Sequence, residues 1–277
     1  MGFLSKLFGS SEKTTPDNNE NLNQVSKLTF TPDQKERRAK SEEFCKSKGI
    51  PIYKNPYAMY FEPESEVTIR TKDEVIDRVL GLCSYFLKAD KLYKDSLPEK
   101  DNKFKIIPKL ISEEGVYLYE SDPTYEDFQL KYNTDSKLTP FERSFINNEN
   151  PDPQQKSNAF WRIESINVLL WALKINDYLS YPNRTSEETG SAEMDIHKIY
   201  ALSESELREN TTLRTKTEIL DEADLILRLN WACVNSRIKN EPPPADLNPI
   251  VIFLRHWTLN WLTNYMGQDW DNIKTDT

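Results

Sequence analysis

The sequence predicts a mainly α-helical protein, with one α-rich globular domain of packed helices over residues 31–277 and an arm over residues 1–30 before it. Two observations carry this. Helix-start signatures recur five times, each a Ser, Thr or Asn whose side-chain oxygen satisfies free backbone N–H groups at a helix beginning. Three stretches, WRIESINVLLWALK, EILDEADLILRLNWACVNSRI and PIVIFLRHWTLNWLTNYM, place apolar residues at the spacing of a buried helix face. All six tryptophans fall between Trp161 and Trp270, so the C-terminal half builds the main core.

In chain order, the arm carries Phe3, Leu4, Leu7 and Phe8 at helical spacing and then SSEKTTPDNNENLNQVSK, a segment too poor in hydrophobes to offset the entropy of ordering. Thr31-Pro32-Asp33-Gln34 starts the first helix, with Thr as cap, Pro at the first helical position and Gln closing a capping box; the helix runs to about Lys48 and stops at Gly49. The signature returns at Thr71 with Glu74, Thr139-Pro140 with Glu142, and Ser203 with Glu206, and Asn248-Pro249 makes a simpler start. Between Asp90 and Lys137 the periodicity weakens. There KFKIIPKLI and GVYLY read either as a small β-hairpin near 104–120 or as a helix interrupted at Pro108.

With 37% hydrophobic residues and 29% charged, the 277-residue chain has ample material for a core and a surface. Cys45, Cys83 and Cys233 are odd in number and lack paired spacing, which points to a reducing compartment and a cytoplasmic protein. No apolar run approaches the roughly 20 residues that span a bilayer. The net charge is -9, and no basic stripe offsets it, so nucleic acid is a poor partner. From Ser186 to Arg228 there are eleven acidic residues against five basic ones. Such a field attracts a basic protein, with Glu187, Glu188, Glu193 and Asp195 as docking charges; the plainer reading is a solvated loop and helix face.

Much chemistry is excluded. Seven scattered glycines cannot form a Walker loop or a dinucleotide fingerprint, and GxSxG, CxxC and HExxH are absent. With only His197 and His256, structural zinc is not expected, nor is any cofactor. The remaining constellation is Arg162 and Glu164, then Asp221, Asp224 and Arg228, then Arg255, His256 and Asn260, all set among apolar residues. As a site, it offers Glu164, Asp221, Asp224 and His256 for acid–base work, with the three carboxylates as a weak metal set, and Arg162, Arg228, Arg255 and Asn260 for binding. As architecture, it is an ion-pair network, and Asp221→Asn then lowers stability markedly. A Cys233–His256 dyad is weaker, because cysteine in an apolar helix usually acts as a small hydrophobe. Trp257 and Trp261 read as core before they read as a ligand platform.

These segments resemble a bacterial family, domain of unknown function 4272. The resemblance runs from Arg38, Ser41 and Gly49–Pro51 through IRTKDEVIDRVLGL, LTPFERSFI and WRIESINVLLWAL to ILDEADLILRL with Trp231, RHWTLNWL and WDNIKTDT. It covers about residues 33–277. Where the family pattern has Glu-Arg-His this chain has Leu254-Arg255-His256, and Asn230 stands where a His often precedes the tryptophan. The resemblance therefore implies that part of any acid–base apparatus is missing. The expected function is a non-enzymatic cytoplasmic interaction protein that neutralises or scaffolds a basic partner. The alternatives are a metal-assisted or acid–base hydrolase, and a peripheral membrane adaptor acting through Phe3, Leu4, Leu7 and Phe8.

Overall fold

The computed structural model describes residues 30–96, 110–112, 115–117 and 123–275. The arm tip, Phe3 to Phe8, lies outside them. In order come α1 (Pro32–Ser47), α2 (Lys72–Ser96), α3 (Tyr125–Tyr132), α4 (Pro140–Ile146), α5 (Pro153–Phe160), α6 (Ile163–Ala172), α7 (Ser191–Tyr200), α8 (Glu204–Asn210), α9 (Lys216–Ile238) and α10 (Pro249–Leu262). Between α2 and α3, β1 (Leu110–Ser112) and β2 (Gly115–Tyr117) lie antiparallel, with Ile111 opposite Val116. Three residues a strand carry no layer of their own, so the fold is helical.

The expected helix starts are all made. Gln34 Oε1 accepts from the backbone N–H of Thr31 at 3.0 Å. Glu74 and Thr71, Glu142 and Thr139, and Glu206 and Ser203 exchange reciprocal side-chain to backbone bonds. Asn248 Oδ1 accepts from Ile250 N at 3.0 Å. The structure adds capping boxes at Thr124, Asp152 and Thr215, which were not among the expected starts. Gly49 sits at φ +69°, a left-handed conformation that ends α1 without the steric cost of a Cβ.

Contacts divide the chain into two compact units: the first gathers Met1–Ile69, Thr215–Gln268 and Ile273–Thr277, the second Arg70–Arg214 and Asp269–Asn272. In the second, α2 is central, packing against α3, α4, α5, α6 and α8, and apart from Asp77 every residue from Val75 to Ala89 is buried. Only a glycine fits at position 81. A Cβ there would lie 2.8 Å from both the Arg78 guanidinium and the Lys137 carbonyl oxygen. Lys88, buried on the same helix, donates to the carbonyls of Phe145, Ile146 and Asn148 and so satisfies the C-terminal end of α4.

In the first unit, α9 packs against α10 and α1. The irregular segment between Ile50 and Val67 has no regular secondary structure to satisfy its carbonyls, and side chains do so instead. Arg38 donates to Asn55, Pro56 and Ala58, Gln34 to Phe61, Arg228 to Met59, and Lys216 to Glu64 and Val67. Helices α1 and α9 thus hold this segment in place through Arg38, Arg228, Lys216 and the Gln34 amide.

Candidate functional site

The candidate residues fall into both units. In the second, Glu164 is buried near the start of α6 and is already engaged: Ser186 donates to it from its backbone N at 2.6 Å and its Oγ at 3.0 Å. This ties the loop before α7 to α6. Nearby, the guanidinium groups of Arg162 and Arg78 lie 5.6 and 5.1 Å from the ring centre of Trp270, and Arg78 pairs with Glu142 at 2.5 Å.

Of the acidic docking set, Glu187 and Glu188 are exposed, while the side chain of Glu193 lies outside the description. Asp195 faces inward at 2% exposure and accepts from the amides of Asn167 and Asn176, both at 3.1 Å. Its charge orders α6 and α7.

In the first unit, Asp224 and Arg228 form a buried bidentate pair with both contacts at 2.8 Å. Asp221, one turn earlier, is about a third exposed, 3.2 Å from Lys40 and 3.8 Å from Arg37 of α1. The buried anion of α9 is therefore Asp224, and Asp221 is a half-open link between α9 and α1. Arg255, His256 and Asn260 are all buried on α10. Burial lowers the His256 pKa to about 4, so the ring is neutral near pH 7. Burial also pushes the Cys233 thiol up to about 12, which leaves almost no thiolate for a dyad with His256. Among the described residues, no three His, Cys, Asp or Glu side chains are grouped to hold a metal ion. Trp261 is core, and Trp257, partly exposed, packs on Phe253 with ring centres 6.1 Å apart.

What the periodicity did not reveal is a pair of cavities on either side of one hydrogen bond. Asn230 Nδ2 meets His256 Nδ1 at 3.2 Å, and since an amide nitrogen only donates, Nδ1 is the acceptor and the ring proton sits on Nε2. On the Asn230 side, where α9 ends and α10 begins, lies a cavity of about 550 Å³ lined by Cys233, Val234, Pro243, Pro249 and Ile250, by the amides of Asn230, Asn240 and Asn248, and by the charged Arg237 and Glu241. On the His256 side is a cleft of about 180 Å³. The signal for the first was in the sequence: the loop NEPPPADLNP, rich in Pro and Asn, joins two strongly apolar helices. Arg38 and Asn230 were marked only by the family resemblance, and the contacts that Arg38 makes to Asn55, Pro56 and Ala58 and Asn230 to His256 are remote in the chain and left no local signal.

Fold and site together define a helical protein with open clefts beside buried ion pairs. By sequence, the chain belongs to the family of domain of unknown function 4272 (DUF4272), whose model matches residues 37–273. No curated protein and no solved structure matches the chain. Among the described residues, no helix is long and apolar enough to cross a membrane.

Proposed function

We propose that the protein is a non-enzymatic interaction protein that takes a short apolar segment of a basic partner into the cavity between α9 and α10. The observation that carries this reading is the lining of that cavity, whose volume of about 550 Å³ lies in the range of ligand sites. Its walls are Val234, Ile250 and prolines with a few convergent amides, and the exposed side chains of Arg237 and Glu241 line it as well. Asn230 gives its Nδ2 to His256, leaving Oδ1 as an acceptor; Asn248 gives its Oδ1 to the start of α10, leaving Nδ2 as a donor. A donor and an acceptor on apolar walls match a peptide bond.

The apolar surface also runs outward. Ile238 is 72% exposed, one turn beyond Val234 on the same face of α9, which suits a partner surface better than an enclosed small molecule. The net charge of -9 favours encounter with a segment flanked by Lys or Arg. The candidate catalytic groups have other occupations. Glu164 is held by Ser186, Asp224 by Arg228, and His256 by Asn230.

Selection from a random peptide library tests this, followed by titration of the enriched peptides against the wild type and Val234→Arg, which fills the cavity from a half-exposed position. The expected result is apolar peptides with basic flanks that bind with micromolar Kd and lose about tenfold or more in the variant. Failure to enrich any peptide, or equal binding to both proteins, overturns the proposal.

A further inference from the structure

The cleft on the other side of the Asn230–His256 bond is independent of the partner cavity. Its floor is His256 and Asn260, each 2% exposed, four residues apart on α10 and so on one face of the helix. Both side chains are oriented from behind: Asn230 Nδ2 donates to His256 Nδ1 at 3.2 Å, and Asn260 Nδ2 donates to the Lys274 carbonyl at 2.7 Å. What remains for the cleft is His256 Nε2–H, a donor, and Asn260 Oδ1, an acceptor. Met59, Tyr60, Leu227 and Tyr265 supply apolar and aromatic walls.

The rim is held in advance of any occupant. Met59 sits at φ +60°, a conformation that a non-glycine residue adopts only when its surroundings enforce it, and its carbonyl is taken by Arg228 at 2.9 Å. Tyr60 stacks on Phe30 with ring centres 3.6 Å apart, and Arg38 lies 4.8 Å over its ring. A fixed rim and two oriented polar groups lower the ordering cost of binding.

We infer that this cleft is a binding site for a small, flat, uncharged molecule bearing a carboxamide or lactam, whose carbonyl accepts from His256 Nε2–H and whose N–H donates to Asn260 Oδ1. Size agrees: about 180 Å³ exceeds the roughly 150 Å³ apolar cavity that holds a benzene ring. Charge agrees as well. Glu62 lines the cleft and is exposed at its edge, which disfavours an anion, and the neighbouring cations are already paired, Arg228 with Asp224, Arg38 with Glu42 and Arg37 with Asp33. A neutral imidazole adds no charge that a carboxylate ligand would seek.

Benzamide is a direct probe, with benzoate as its charged isostere. Titration of the full chain, followed through the His256 Nε2–H resonance after histidine-specific ¹⁵N labelling, is expected to show saturable shifts with benzamide in the millimolar range and binding at least about tenfold weaker with benzoate. His256→Gln, which keeps an N–H near the position of Nε2, should retain benzamide binding, and His256→Phe should lose it. Equal binding of the two probes, no shift with benzamide, or unchanged benzamide binding in a folded His256→Phe overturns the inference. If His256→Phe fails to fold, the wild-type resonance and the benzoate comparison decide alone. A peptide bound between α9 and α10 should leave the benzamide affinity intact, so the two proposals fail separately.

Discussion

At the scale of single residues, two neighbouring aspartates, both paired with cations, show how burial sets the energy of such a pair. Asp224 is sealed with Arg228, and removing one member of a buried pair typically costs about 3–5 kcal/mol because the other charge is left uncompensated. Asp221 is about a third exposed, so solvent screens its links to Lys40 and Arg37 and it contributes about 1 kcal/mol or less. Urea denaturation should therefore show Asp224→Asn losing several-fold more stability than Asp221→Asn, the reverse of the emphasis that sequence spacing placed on Asp221. His256 gives a pH dependence of defined sign. Its folded pKa of about 4 lies below the ordinary value of 6.5, so the unfolded chain binds more protons between those values. The stability that the neutral ring supports is complete above about pH 6.5 and is lost as pH falls toward 4, roughly 3 kcal/mol in all. His256→Gln should flatten the fall in urea midpoint over that window; an unchanged slope would show that the ring titrates normally.

At the scale of elements, capping boxes start many of the helices, and at some C-terminal ends distant cations reach the carbonyls, as Lys88 does on α4 and Arg214 on α6. Thr215 caps α9, accepting from the Glu218 N–H at 3.2 Å, while the Glu218 carboxylate accepts from the Thr215 N–H at 2.8 Å. Thr215→Ala should cost about 1 kcal/mol, read as a lower melting midpoint, with Thr215→Ser close to wild type. The box at Thr139 differs in kind, because the Glu142 carboxylate that closes it also receives Arg78 in the interior. A cap and a core ion pair thus share one side chain. The capping boxes were legible in the sequence because their partners lie three residues apart. The C-terminal satisfaction was not: Lys88 lies 57 residues or more from the carbonyls it serves, and Arg214 reaches the carbonyls of Trp171, Asn176 and Asp177.

At the scale of the molecule, each unit is built from discontinuous stretches of chain. In the second, Trp270 comes from the C-terminal segment to lie between Arg78 and Arg162. In the first, Phe30 stacks on Tyr60 with ring centres 3.6 Å apart. Deleting residues 1–29, whose composition holds too few hydrophobes to contribute a core, should leave Tm within about 2 °C of the full chain. Deleting residues 1–30 removes the ring stack as well, worth about 1 kcal/mol, and should lower Tm by a few degrees more. Equal and large losses from both deletions would place part of residues 1–29 in the packing.

The sequence by itself determined the helical class, five of the helix starts and the family, because capping and apolar periodicity act within about four residues and leave their mark in the local order of side chains. Tertiary structure alone decided what each charge does. It turned Asp195 inward to Asn167 and Asn176, gave Glu164 to Ser186, made Asp224 rather than Asp221 the buried anion, and opened two cavities about the Asn230–His256 bond. These outcomes depend on which surfaces meet, and burial, which fixes the energy of a charge or an amide, belongs to the packed neighbours and not to the residue's own stretch of chain.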